Sequence, residues 1–290
     1  MNAARAYANA RIHGAKSRLL TRADVMPLMI AEDRASAARA LATLGIDAQR
    51  PLFPQLFARL VGVYRTAIRA YRGEADILRL MLRLHEIENL KLAWRAVTRK
   101  ELFAVWRPLW RELDEFAVLH PARIRGIASP HDLTERLTGT PYGRIAASVE
   151  SAHGADLAAA ELAFDRWGAA ALLDAARRLP PHEALARQLV ESVVRDRAAD
   201  LLRRGERIYG FSSAALEAMS ASMAVPPSKT SRKRLVARAF VGRTFELSPA
   251  IALVLLAEEE LRGVNALAEC GSGKARAAAE RIVVEGAMAT

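Results

Sequence analysis

The sequence contains a single cysteine, Cys270. One thiol cannot close an internal disulfide, which excludes a small secreted fold stapled by bridges. Aromatic residues are scarce, at 6%. Long apolar runs are missing as well. The longest, 250–257, is stopped by Glu258, Glu259 and Glu260, far short of the ~20 residues that span a bilayer. The opening residues Met1-Asn2-Ala3-Ala4-Arg5 carry no apolar signal region, so a soluble, cytoplasmic protein is expected. No run alternates polar and apolar residues for long enough to read as a strand.

Chemical motifs are equally sparse. The six histidines, His13, His85, His120, His131, His153 and His182, include no pair at helical ligand spacing, so no metal site is expected. Gly271-Ser272-Gly273-Lys274 is not a phosphate loop. Ala268 stands where such a loop needs its first glycine, and Ala275 where it needs Ser or Thr. Cys270 has no basic or histidine neighbour in sequence to activate it. No Gly-x-Ser-x-Gly element and no Asp-x-Asp carboxylate pair occurs. The expectation is therefore no catalytic residue, no cofactor and no enzyme activity.

What the chain does have is helix-forming material and positive charge. It is 290 residues long, 52% apolar and 26% charged, as a globular protein should be. Alanine, the strongest helix former, makes up roughly a fifth of it. Forty-three basic residues against 32 acidic ones leave a net charge of +11, which suits nucleic acid, an anionic lipid surface or an acidic protein partner.

Apolar spacing predicts an all-α fold. Ile77, Leu80, Met81, Leu84, Ile87, Leu90 and Trp94 recur at three- and four-residue steps, which predicts a long amphipathic helix over 74–99. Arg79, Arg83, Glu86, Glu88, Lys91 and Arg95 share its remaining surface. Further helices are expected over 155–178, from Pro181 to about 204, over 248–267 with Ser248 as N-cap, and over 274–284. Breaks are expected at Arg50-Pro51, Ser129-Pro130, Gly139 to Pro141 and Pro180-Pro181. The stretch 225–234 reads as a linker.

Two groups of side chains call for partners. Glu86 and Asn89 lie three apart beside the apolar stripe, with Lys91 close by, and a buried carboxylate and amide need hydrogen bonds. Arg11, Lys16 and Arg18 of the N-terminal segment are the expected partners, forming an internal clamp or, alternatively, an interface. The second group is Lys229, Arg232, Lys233 and Arg234. Without interleaved aromatics it is not a platform for stacking bases, and it reads as a solvated linker or as a contact with acidic protein or anionic lipid. A weak echo of acid-led clusters, at 85–91, 191–197 and 258–264, suggests a repeated helical unit.

Tyr7-Ala8-Asn9-Ala10-Arg11-Ile12-His13-Gly14-Ala15-Lys16-Ser17-Arg18-Leu19-Leu20 resembles the opening of the C subunit of V/A-type rotary ATPases, whose eukaryotic counterpart is called the d subunit. Glu86-Ile87-Glu88-Asn89-Leu90-Lys91-Leu92 resembles a second motif of that family, on a long helix. Leu137-Thr138-Gly139-Thr140-Pro141-Tyr142 resembles another segment, 165–200 its middle unit and 251–264 its last. The resemblance implies a funnel-like array of three similar helical units, here 1–110, 111–224 and a shortened third at 225–290. Asn89 has Asp196 and Gly263 as its counterparts in the second and third units. The implied role is mechanical, and no nucleotide or ion site belongs to such a protein. One copy per complex sits on the cytoplasmic face of the membrane and links the rotating central stalk to the proteolipid ring during ion transport or ATP synthesis. In that setting Lys229, Arg232, Lys233 and Arg234 become candidates for ring or lipid contact. A basic all-helical module for nucleic acid or anionic lipid is the alternative.

Overall fold

A computed structural model describes residues 2–154, 156–207, 230–241 and 246–269. Lys229 and most of the expected linker lie outside the described residues, as do Cys270 and the expected closing helix at 274–284. Among the described residues every regular element is helical: α1 (Asn2–Lys16), α2 (Arg22–Met29), α3 (Arg34–Thr43), α4 (Leu52–Ala70), α5 (Asp76–Thr98), α6 (Phe103–Trp106), α7 (Pro121–Ile124), α8 (Pro130–Leu137), α9 (Gly143–His153), α10 (Leu157–Arg177), α11 (Ala184–Arg207), α12 (Arg232–Ala239) and α13 (Ser248–Glu269). The chain is all-α, as the alanine content and apolar spacing require.

Local chemistry sets where the helices start and stop. Thr21 with Asp24, Asp33 with Ser36, and Ser129 with Asp132 form reciprocal capping boxes at α2, α3 and α8, each satisfying two backbone donors. Pro130 occupies the first turn of α8, where its missing N–H costs nothing. The C-terminus of α5 closes with Lys100 N–H on the Val97 carbonyl at 3.3 Å and Glu101 N–H on the Ala96 carbonyl at 2.9 Å. This is a Schellman cap with Lys100, at φ +54°, in the left-handed position usually held by glycine. The start of α13 departs from expectation. The Leu247 carbonyl accepts from Ala250 N–H at 3.0 Å, and the Ser248 hydroxyl donates to Glu246 at 3.2 Å instead of capping.

The chain divides into two compact units: 1–78 with 180–189 and 228–290, and 79–179 with 190–227. In the first, α13 is buried all round from Ser248 to Ala257 and packs along α4, α1 and α12. Leu56, Phe57, Leu60, Val61, Tyr64, Ala67 and Ile68 form the buried stripe of α4. A satellite core of the same unit joins Val25, Leu28, Leu41, Leu44, Leu56 and Val264. In the second unit, α5 and α10 pack closely enough for Gly168 to lie against Ile87 and Leu84.

Helix α5 differs from the amphipathic surface helix that its spacing predicts. Ile77, Met81, Leu84, Ile87, Leu90 and Trp94 are buried as expected, but so are Glu86, Asn89 and Lys91. Arg79, Arg83, Glu88 and Arg95 are half-buried. Both faces of α5 are covered, and its polar side meets other charged groups instead of solvent.

Candidate functional site

The second unit holds a buried polar network centred on α5. Lys91 has no solvent exposure. Its ammonium donates to Glu88 Oε1 at 2.9 Å and to Asp165 Oδ1 and Oδ2 at 2.9 and 3.0 Å, so its three N–H donors are all directed at carboxylates. One turn on, Arg95 forks onto buried Glu161, with Nη2 to Oε2 at 2.6 Å and Nε to Oε1. Asp165 and Glu161 are four residues apart on α10, as Lys91 and Arg95 are on α5, so the rungs fix an antiparallel register. Trp94 and Phe164 meet edge to face between the rungs, centroids 5.4 Å apart. Burial alone would raise the Glu88 carboxyl, but Lys91, Arg111 and Arg197 outweigh it and hold the group below the ordinary carboxylate range.

Glu86 and Asn89 are satisfied, but by partners other than the expected cations. Glu86 Oε1 accepts from the backbone N–H groups of Val118 and Leu119 at 2.5 and 2.6 Å, and Oε2 accepts from the Tyr142 hydroxyl. Burial, then the Glu86 carboxylate, pushes the Tyr142 phenol upward, so it stays a donor. Asn89 bonds the backbone of Arg111 in both directions, at 2.7 and 2.8 Å. The reason is steric and electrostatic: a loop supplies N–H donors without burying further charge. Tyr142 is delivered by the 137–142 segment. Gly139 takes φ +78° there, and the Thr140 hydroxyl accepts from the Tyr142 N–H at 3.2 Å. The segments 86–92 and 137–142 and the start of 165–200 therefore meet at one place.

The N-terminal residues serve a second network, in the first unit. The Tyr71 hydroxyl lies within hydrogen-bond distance of both Asn9 Oδ1 and the Glu246 carbonyl, the latter at 2.8 Å, and shares its single proton between them. Arg5 pairs with Glu183 at 3.2 Å and with Glu74. Both Glu183 oxygens accept from Leu247 N–H, at 3.1 and 2.9 Å. Burial raises the Glu183 carboxyl, opposed by that N–H and by Arg5. Arg11 is exposed and lies over the Tyr7 ring. The Lys16 ammonium lies 4.5 Å from the centroid of Phe240. Arg18 lines a shallow groove of about 230 Å³ with Leu19, Leu56, Arg59 and Leu261. Beside it Glu260 accepts from Arg59 at 3.1 Å and from Leu20 N–H at 2.9 Å.

Of the basic group at the start of α12, Lys233 and Arg234 are exposed and Arg232 is half-buried. Leu235, Val236 and Ala239 anchor the opposite face. Sequence reasoning missed Arg5, Glu183, Glu161, Asp165 and Glu260. Tyr142, at the end of the 137–142 motif, Asp165, at the start of the 165–200 segment, and Glu260, in the acid-led cluster at 258–264, carried a signal. The charged groups of the two buried networks are bonded to one another or to backbone N–H groups, and among the described residues these networks fix helix positions and expose no nucleophile beside a base. Among the described residues no cluster of three or more His, Cys, Asp or Glu could hold a metal, and no helix is long and apolar enough to cross a membrane.

The family model for the ATP synthase (C/AC39) subunit matches residues 8–235. No significant match to a curated protein is found. The matched span covers well over half of the chain and includes the N-terminal motif from Ala8 onward, all of α5, the 137–142 loop and α10. The chain belongs to the ATP synthase (C/AC39) subunit family of V/A-type ATPases.

Proposed function

We propose that this chain is a non-catalytic adaptor that couples the rotating central stalk of a V/A-type ATPase to its membrane proteolipid ring. One copy per complex sits on the cytoplasmic face, without a nucleotide or cofactor site of its own. The family match over 8–235 carries the reading. The geometry supports it physically. A part that passes torque needs helices that do not slide, and the Lys91–Asp165 and Arg95–Glu161 rungs oppose sliding of α5 on α10. The three-unit arrangement over 1–110, 111–224 and 225–290 belongs to this proposal, as does ring contact through Lys233 and Arg234.

The test is an affinity pull-down of the tagged chain from gently solubilised native membranes, read by mass spectrometry. Recovery of central-stalk subunits together with the proteolipid is the expected result. Recovery of neither, from membranes that contain the other ATPase subunits, would overturn the role.

A further inference from the structure

The excess positive charge is concentrated in the first unit. Residues 1–78, 180–189 and 228–290 hold 23 basic and 14 acidic side chains, so nine of the eleven excess charges belong to them. Three helices of that unit, α1, α4 and α12, contain no Asp or Glu, and all three pack on α13. Many of their cations are engaged within the chain. Arg5 pairs with Glu74 and Glu183, and Arg59 with Glu260; Arg65, Arg69 and Arg232 have interactions as well. Lys233, Arg234 and Arg238 differ. All three are exposed, and no ion pair among the described residues holds them.

Arg234, Ala237, Arg238 and Val241 lie along one face of α12. Val241 N–H donates to the Arg238 carbonyl at 3.2 Å and continues the turn, and its side chain is 74% exposed. Ala237 between the arginines is small enough to let a second helix come close. The chain uses the same spacing inside itself: Lys91 and Arg95, four apart on α5, meet Asp165 and Glu161, four apart on α10. Helix α12 repeats the basic half of that arrangement on an exposed face, without the acidic half. Arg232, Lys233 and Arg234 also occupy its first turn, where the helix dipole disfavours cations, and an acidic partner would offset that cost. A protein helix fits better than a bilayer or a nucleic acid. Leu235, Val236 and Ala239 are buried, so α12 keeps no apolar row to lower into lipid. Phe240 is engaged within the chain, by His13 edge to face at 5.5 Å and by the Lys16 ammonium at 4.5 Å, instead of being offered to a base.

We propose that the exposed face of α12 docks an acidic helix of a protein partner, with Arg234 and Arg238 forking onto two carboxylates set four residues apart and Val241 in apolar contact at the end of the face. The inference deepens the ring contact read above for Lys233 and Arg234, and rests on that reading only for which protein supplies the helix.

The experiment titrates the full chain, at low salt, into labelled alanine-based peptides of about 20 residues, long enough to hold helix in water. One peptide carries glutamates at every fourth residue, and its isomer carries the same glutamates at every fifth. Fluorescence anisotropy should show the first binding at least about fivefold more tightly. Arg234→Glu/Arg238→Glu should abolish that preference and weaken binding about tenfold or more, with thermal melting unchanged because both side chains are exposed. Arg123→Glu/Arg125→Glu, on the exposed surface of the second unit, makes the same change in net charge and should alter affinity less than about twofold. Equal binding of the two peptides would overturn the proposal, as would equal losses in the two variants, which would make the attraction one of net charge. Tighter binding to phosphatidylglycerol vesicles than to the first peptide, lost in Arg234→Glu/Arg238→Glu, would overturn it in favour of a lipid surface. The expected peptide binding alongside a failed pull-down would overturn the coupling role and leave this inference standing.

Discussion

Glu86 has no solvent to fall back on. Its two oxygens answer the N–H groups of Val118 and Leu119 and the hydroxyl of Tyr142, so removing it strands three donors. Glu86→Ala should cost about 2–4 kcal/mol in urea-induced unfolding. Tyr142→Phe removes one donor and leaves Glu86 its two N–H partners, so it should cost only about 1–2 kcal/mol. The double variant should cost less than the sum, since the two share a bond; strict additivity would separate them. Glu88 makes a different prediction. Its folded carboxyl sits below the ordinary range because Lys91, Arg111 and Arg197 together outweigh its burial. A depressed acid stabilises above its unfolded pKa, and that contribution is lost as pH falls toward the folded value. Wild-type stability should therefore fall more steeply than that of Glu88→Gln below about pH 4.5, with the two converging in acid. Parallel pH profiles would remove Glu88 from the ion-pair network.

At the scale of elements, the register of α5 against α10 is written by three kinds of contact: the charged rungs, the Trp94–Phe164 pair and the crossing at Gly168. A methyl at 168 would run into Ile87 Cδ1 and come within 3.0 Å of Leu84 Cδ2. Alanine in a helix interior is favoured over glycine by roughly 1 kcal/mol, while overpacking a buried contact costs about 1–3 kcal/mol. Gly168→Ala should thus destabilise by about 1 kcal/mol. Ile87→Val removes the clashing carbon, so in that background the same change should be neutral or stabilising. An equal effect in both backgrounds would mean that the crossing relaxes elsewhere. This crossing marks the limit of what the sequence revealed. The apolar stripe of α5, its ends and the breaks at Pro51, Pro130 and Pro181 were legible, because spacing, caps and prolines are local properties. The burial of the polar side of α5 was not. Glu161 and Asp165 look like ordinary surface acids on α10, and nothing local says that they face Lys91 and Arg95. The need of Glu86 and Asn89 for partners was legible, while their partners, backbone groups of a loop 22 to 33 residues away, were not.

At the scale of the whole molecule, the net charge of +11 is spread over a body whose buried charges are largely paired, so the excess is available to partners. Resemblance to known motifs indicated the family; charge alone could only name classes of partner. The exposed face of α12 is one place where the excess is ordered, because Leu235, Val236 and Ala239 hold the helix down while Lys233 and Arg234 point away. Arg232 already has an interaction within the chain and is left unchanged. Lys233→Glu/Arg234→Glu shifts the net charge from +11 by four, to +7, without touching a buried side chain, so stability should stay within about 0.5 kcal/mol. If α12 faces the proteolipid ring, docking to purified ring at low salt should weaken about tenfold or more, mainly through slower association. The deficit should shrink as ionic strength rises and the screening length contracts to ~8 Å at physiological salt. Stalk binding measured on the same variant supplies the contrast. Loss of both would indicate a general electrostatic effect of net charge, and identical ring docking at low salt would take α12 out of the interface.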